Sequence, residues 1–373
     1  MNARVNKCVA ITVVVIIALG VLSGCGGWRV TGVPVPEPLT TNLRIVEVSA
    51  GWHVSYALKE DGSLWAWGAF GSAFEVIEED WSRPIRVMED VTAISDSMII
   101  WGDGTLWGWG SNERGQLGDG TTTHRFSPIE IMNDVIAVSS TWSHTMAITL
   151  DGTLWGWGSN QNGQLGDGTT EDRHSPVKIM DDVTAVSAGF RTMAIRSDRT
   201  LWAWGRDVVT LEDGSRKDSH TPMKILDDVI YVAQPFVITS DNTLWMWRSG
   251  EESRRIMEDV TNISIGGNTN MAITSDGVLW GWGRNRTGAL GDGTTRDRRE
   301  PVKIMENVVS VSTNGIHTLA ITSDGNLWAW GENTSGELGI GTYRGEYENR
   351  PYRGTIPAVW LSPVLVVEYV PEG

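Results

Sequence analysis

Cysteine is nearly missing from this chain. There are two in 373 residues, Cys8 and Cys25, too few for a disulfide framework. An excess of positive charge is missing as well. Lys and Arg number 30 against 46 Asp and Glu, and the formal net charge of −16 disfavours binding nucleic acid or an anionic membrane through overall electrostatics. Phe (5) and Tyr (6) are scarce, so the 20 Trp carry most of the aromatic mass. The longest apolar run, residues 9–21, is short for a bilayer-spanning helix. No G-x-x-x-x-G-K-S/T, H-E-x-x-H, G-x-S-x-G or EF-hand pattern occurs, which removes the usual signatures of phosphate-loop, zinc-protease, α/β-hydrolase and calcium chemistry. A hydrophobic fraction of 40% is nevertheless enough for a substantial core.

What is present begins with an address. Arg4 and Lys7 precede the apolar run, which ends in Leu22-Ser23-Gly24-Cys25. This pattern is similar to a bacterial lipobox: residues 1–24 read as a signal peptide and Cys25 as the lipidated first residue of the mature chain. The mature chain then keeps 28 basic against 46 acidic residues, a net charge of −18. Residues 25–42, which include Pro34, Pro36 and Pro38, read as a lipid-anchored, Pro-rich linker. The expected location is the outer side of a bacterial membrane, extracellular or periplasmic.

Residues 43–373 are a repeat. The octet Asp-Gly-x-Leu-Trp-x-Trp-Gly starts at Asp61, Asp103, Asp151, Asp198, Asp241, Asp276 and Asp324, with the copies at Asp198 and Asp241 degenerate. Its tryptophans are Trp65, Trp67, Trp107, Trp109, Trp155, Trp157, Trp202, Trp204, Trp245, Trp247, Trp280, Trp282, Trp328 and Trp330. Each unit reads as four short strands; in the third they fall at residues 135–139, 144–149, 153–157 and 176–180. Asp-Gly between the second and third strands predicts a two-residue hairpin turn. Period-two alternation puts Trp155 and Trp157 on one face and Leu154 and Gly156 on the other, so both faces are apolar. A strand sandwiched between two neighbouring sheets fits an all-β, seven-bladed β-propeller. Each blade is expected to press a large side chain against a small one next door. Ala66, Gly108, Gly156, Ala203, Gly281 and Ala329 lie between the paired indoles, with Met246 the exception. Residues 363–369 are expected to complete the last blade, with 355–360 as the alternative.

Four units continue with Asn-x-x-Gly-x-Leu-Gly-x-Gly-Thr, at residues 112–121, 160–169, 285–294 and 333–342. Together with Val-Ser-Ala-Gly at 48–51 and 186–189 and Ser-Pro-Val-Lys-Ile at 175–179, the pattern resembles the regulator of chromosome condensation repeat family. The resemblance covers roughly residues 43–370 and implies a seven-bladed propeller. The stretches after Trp67, Trp204 and Trp247 depart from it. The family's eponymous member acts on a nuclear GTPase at chromatin, an activity not carried over to an exported chain. By compartment, the propeller-type β-lactamase inhibitory protein looks similar in architecture, a likeness of fold alone.

The repeated polar residues read as structural. The Gly-rich loops lack the βα context and the Lys of a phosphate site. His144 and His317 occupy equivalent slots, filled by Arg191 in the fourth unit, and are expected to hydrogen-bond neighbouring loops. Asp119, Asp167 and Asp292 offer one carboxylate per loop, short of a calcium cage. No cofactor and no metal is therefore expected. Loops after the second and fourth strands share one face and carry seventeen carboxylates; those after the first and third share the other and vary. On that variable face Trp52, Trp142, Phe190, Phe70 and the basic patch Arg284, Arg286, Arg296, Arg298 and Arg299 are the candidate partner-binding residues. The chain is thus expected to be a non-enzymatic, monomeric, protein-binding propeller with an unknown protein or cell-wall partner and no nucleic-acid ligand. The alternatives are an inhibitor of a secreted or cell-wall enzyme and, on the family resemblance alone, a guanine-nucleotide exchange factor.

Overall fold

A computed structural model describes residues 39–69, 81–95, 97–210, 215–249, 253–341 and 359–370. The signal peptide, Cys25, most of the linker, Phe70 and much of the insertion after it lie outside the described residues.

Every described element is a strand, and seven sheets form a ring. The first blade comprises β2 (Ile45–Gly51), β3 (Val54–Lys59), β4 (Leu64–Gly68) and β5 (Ile85–Met88). The second comprises β6 (Val91–Ser95), β7 (Met98–Trp101), β8 (Leu106–Gly110) and β9 (Arg125–Met132). In the third are β10 (Val135–Ser140), β11 (His144–Thr149), β12 (Leu154–Gly158) and β13 (Arg173–Met180). The fourth has β14 (Val183–Ser187), β15 (Arg191–Arg196) and the long hairpin β16 (Leu201–Thr210) and β17 (Arg216–Leu226). The fifth is the smallest: β18 (Val229–Ala233), β19 (Phe236–Thr239), β20 (Leu244–Met246) and β21 (Arg254–Met257). The sixth holds β22 (Val260–Gly266), β23 (Thr269–Thr274), β24 (Leu279–Gly283) and β25 (Arg298–Met305). The seventh holds β26 (Val308–Thr313), β27 (His317–Thr322), β28 (Leu327–Glu332) and β29 (Val359–Tyr369).

Closure uses the C-terminal strand. β29 contains residues 363–369 and pairs antiparallel with β28, Leu327 opposite Val367. The alternative overlaps it only at 359–360, where Val359 faces Glu332 and Trp360 faces Gly331. A further strand, β1 (Leu39–Thr41), pairs parallel to the outer edge of β29. β1 lies inside the stretch read as linker.

The Asp-Gly turn is longer by one residue than its sequence predicts. Ile148 pairs with Leu154, and the Thr149 N–H reaches Thr153 O around Leu150, Asp151 and Gly152. Gly152 alone has φ positive, at 81°. That is a type I turn followed by a glycine bulge. The carboxylate sets it: Asp151 Oδ1 accepts from the Thr149 hydroxyl and the Thr153 amide. Hydrogen bonds of this kind, the Thr149 hydroxyl foremost, hold the exposed Asp151 carboxyl below its ordinary range. The seventeen carboxylates on this face are not alone either. Lys178 bonds Asp181, Lys224 bonds Asp227, and Arg196 bonds Asp182, so strand-borne cations offset much of the expected acidity.

At the hub, serines of the innermost strands tie blades together. Ser139 Oγ accepts from the Ala188 amide, Ser264 Oγ from Thr313 and Ser312 Oγ from Ala50, all at 3.0 Å.

Candidate functional site

The blade seams are not all alike, and the difference locates the site. The Asn-x-x-Gly-x-Leu-Gly loop is a rigid plug. Its asparagine is fully buried. In the third blade Asn160 Oδ1 accepts from the Leu165 amide, while Nδ2 donates to Asp167 Oδ1 and Thr169 O. Asp167 also accepts from the Thr169 amide and hydroxyl and from Arg173 Nε at 2.7 Å. Burial alone would raise the carboxyl, but the Arg173 and Thr169 bonds outweigh it and hold Asp167 below its ordinary range. The same wiring recurs around Asp119 with Arg125 and around Asp292 with Arg298. These three carboxylates are committed within their loops.

Each plug locks onto the next blade. Gln164 O accepts from Trp204 Nε1 at 3.0 Å and from the Thr192 hydroxyl at 2.6 Å. Gln116 O takes Trp157 and Thr145, Ala289 O takes Trp330 and Thr318, and Glu337 O takes Trp67 and Ser55. The indole then lies so close to the glycine two residues on that a Cβ at Gly166 would come 2.6 Å from Trp204 Nε1. The small residue between paired indoles has another use than the one expected. A Cβ at Gly156 would meet Met146 of its own blade at 2.9 Å, so the indole's slot is made by the loop glycine instead. The second Trp of each pair is buried, completely so where a plug covers it; the first is half-buried, and Trp155 Nε1 donates to the Thr149 hydroxyl near the turn.

Three seams lack the plug: the one after the first blade runs through residues outside those described, and the other two improvise. Between the fourth and fifth blades, Val208 of the long hairpin packs with Trp247 in place of a plug leucine. After Trp247 the sequence carries no plug motif, and β21 begins only seven residues on. Met246, the exception in sequence, packs with Ile256 and Trp282. Among the described residues, the indole N–H of neither Trp247 nor Trp282 finds a hydrogen bond.

The missing plug leaves a cleft of about 610 Å³ on the face of the first- and third-strand loops, spanning the fourth to sixth blades. Its apolar lining includes Phe236, edge-on to Trp282 at 5.8 Å, with Met246, Ile256 and Ile265. Five guanidiniums also line it, Arg191, Arg206, Arg248, Arg254 and Arg299, against two carboxylates, Asp207 and Glu300. Arg254 bonds Glu300 at 3.1 Å, and Arg191 Nε donates to Arg206 O while its guanidinium lies 5.5 Å over the Trp247 ring. Burial lowers the Arg191 pKa; Asp207 opposes that, and the like charges of Arg216, Arg206 and Arg248 add to it. Positive charge is therefore crowded here, in a chain with a net charge of −16.

Of the candidate residues, Phe190 and Arg299 line this cleft. Trp52 and Trp142 stand on the first and third blades, on turns of the same face. Trp52, Trp142 and Phe190 are 50%, 53% and 51% exposed, so burial does not remove the two tryptophans from the assignment. Arg286 and Arg296 are exposed and Arg284 is half-buried, all outside the cleft lining. Arg298 is corrected: it is the brace of Asp292, at the same offset as Arg125 from Asp119 and Arg173 from Asp167. That fixed spacing was the sequence signal. Arg206, Arg248 and Arg254 were missed because they belong to no repeat and come from three separate segments, and Arg191 was read only as the residue filling the histidine slot.

The histidines behave as repeat residues. His317 Nε2 donates to Ser55 Oγ at 2.7 Å across the closing seam, since that hydroxyl already donates to Glu337 O. Nδ1 of His144 meets the Thr141 hydroxyl in its own turn at 3.0 Å, and its buried Nε2 has no partner. Desolvation pushes both pKa values down to about 4. Arg191, in the equivalent slot, faces the cleft instead. Beside His317, His53 Nδ1 meets buried Glu337 at 2.8 Å; that bond raises the His53 pKa. Burial alone would raise the Glu337 carboxyl, but the His53 bond, His317 and the amides of Glu337 and Ser335 together hold it below its ordinary range. No group of three or more His, Cys, Asp or Glu is placed to hold a metal among the described residues.

No curated protein sequence matches the chain. Among solved structures, yeast RCC1 (Prp20), determined with Kap60 bound, aligns at 15% identity with a TM-score of 0.65, covering 94% of this chain and 91% of that one. Human WBSCR16 aligns at 19% identity with a TM-score of 0.51, covering 94% and 88%. At these identities the likeness is one of fold. The Regulator of chromosome condensation (RCC1) repeat profile matches residues 103–148, 151–194 and 276–321, and a second profile of the same repeat matches 135–164, 260–289 and 308–337. The chain thus carries regulator of chromosome condensation repeats, over residues 103–194 and 260–337, within a ring of seven blades.

Proposed function

We propose that the chain is a non-enzymatic, protein-binding propeller, held by lipid on Cys25 at the outer side of a bacterial membrane, which meets its partner with the face of first- and third-strand loops. The observation that carries this reading is the set of half-exposed aromatics, Trp52, Trp142 and Phe190, on turns of three blades of that face. Large aromatics are costly to leave in water and are the commonest anchors of protein interfaces. The repeated face, by contrast, spends its polar groups on its own turns. Protein binding also agrees with the yeast RCC1 structure, whose bound partner Kap60 is a protein.

The test is affinity capture from solubilised membranes with the full chain as bait, alongside a Trp52→Ala/Trp142→Ala variant. A discrete protein retained by the wild type and lost with the variant supports the reading. Equal retention by both moves the interface elsewhere. For the anchor, Cys25→Ala shifts the chain from the membrane fraction to the soluble one; a variant that stays with the membrane overturns lipidation.

A further inference from the structure

We propose that the arginine-lined cleft over the fourth to sixth blades receives a short acidic segment of the protein partner, with carboxylates on the guanidiniums and an apolar side chain on the floor between them. This rests on the protein-binding reading and names the chemistry of what is bound.

The cleft is what an omitted element leaves behind. In four blades a plug leucine and glycine cover the next indole. The fifth blade has no plug motif, and among the described residues only side chains stand at the rim of the floor of Met246, Ile256, Phe236 and Trp282. A peptide backbone with one apolar residue restores the kind of contact that the plug makes elsewhere. The rim fixes the charge of that peptide. Among the described lining residues five arginines stand against two acids, Asp207 beside Arg206 and Glu300 bonded to Arg254, and Arg254 and Arg299 are exposed at the edge. Guanidiniums take carboxylates bidentately, and a half-desolvated site strengthens such pairs.

The size of the ligand follows from range. Screening confines the attraction of the cleft to about 8–10 Å at physiological salt. A long polyanion lying across the disc would also meet a chain whose net charge is −16. A segment of a few residues sees the cleft alone. At about 610 Å³ the cleft lies within the ordinary range for one bound segment of small-ligand size.

The probe is a dye-labelled heptapeptide with a central leucine flanked on each side by two glutamates, titrated against the full chain at low salt and read by fluorescence anisotropy. Saturable binding is expected. It should weaken about tenfold or more in Arg254→Gln/Arg299→Gln, two exposed positions whose loss leaves the core intact. The all-glutamine peptide should not bind, and replacing the central leucine by glycine should weaken binding several-fold. Equal binding of the glutamine peptide, no effect of the double variant, or polyphosphate binding as tightly with the same variant dependence would overturn the proposal. Capture of a partner that depends on Trp52 and Trp142 but not on Arg254 and Arg299 would sink the cleft and leave the protein-binding reading standing. Loss of capture dependence on all four would sink both.

Discussion

The seam between the third and fourth blades and the seam between the fifth and sixth join the same kinds of strand, yet they are built differently. The first carries a buried carbonyl with two donors, an indole pressed under a glycine, and an asparagine that satisfies its own loop. The second has none of these, and its indole, Trp282, forms part of a cleft wall. The lesson is that stability and ligand space are alternatives at one position of the repeat. Where the plug is kept, or replaced as by Val208 at the fourth–fifth seam, the indole is covered; where it is dropped without a substitute among the described residues, the same volume becomes available to another molecule.

The sharpest way to break this contrast is Gly166→Val. Its φ of +83° and the 2.6 Å approach to Trp204 leave no room for a side chain. Left-handed strain and overpacking together should cost about 3–5 kcal/mol. Val208→Ala, on an improvised seam, removes two methyl groups and should cost only about 1–2 kcal/mol. Denaturant unfolding of both variants measures the gap; equal costs would show the plugs to be decoration.

Acid should erode the locked seams selectively. His144 and His317 are buried neutral with pKa values near 4. Unfolded histidine takes its proton near pH 6.5, so the stability these residues hold above that pH is lost as pH falls toward 4. Each can forfeit up to about 1.4 kcal/mol per pH unit in that window. His53 acts in the opposite sense: its raised pKa adds stability that is fully present below pH 6.5 and fades above it. Glu337, held low, keeps its share until pH falls below about 4.5. A melting temperature that drops between pH 7 and 5, with a shallower drop in His144→Gln, is the expected result. A flat profile would mean the histidines reach water.

The smallest effect is also the most specific. Trp204→Phe removes a donor from Gln164 O, while Trp247→Phe removes an indole N–H that makes no such bond. Beyond the common loss of ring volume, the first should cost about 1 kcal/mol more. Equal costs would place the value of the lock in packing alone.

The ring was legible in the sequence because it is written seven times. The octet fixes two faces per strand, and β-branched runs on either side leave few other architectures. The plug was visible as a motif, but its job was not. Nothing in Asn-x-x-Gly-x-Leu-Gly says that the carbonyl just before its leucine will meet an indole of the next blade, since that contact exists only once the ring is closed. The cleft was legible only in negative, as units without the motif. Phe190 was named as an aromatic after a first strand and Arg299 as part of a basic patch, and both line the cleft. Arg206, Arg248 and Arg254 were not named, since residues from three separate segments converge only in three dimensions. Arg298 shows the opposite error: a charge counted with its neighbours before its fixed offset from Asp292 was considered.

β1 contributes only three residue pairs, Leu39 to Val367, Thr40 to Glu368 and Thr41 to Tyr369, on the outside of a blade already four strands deep. A pull on the chain ahead of Leu39 therefore falls first on that outermost strip. It can strip away as a mechanical fuse while β29 stays zipped to β28, leaving the ring shut and its cleft in working order under tension.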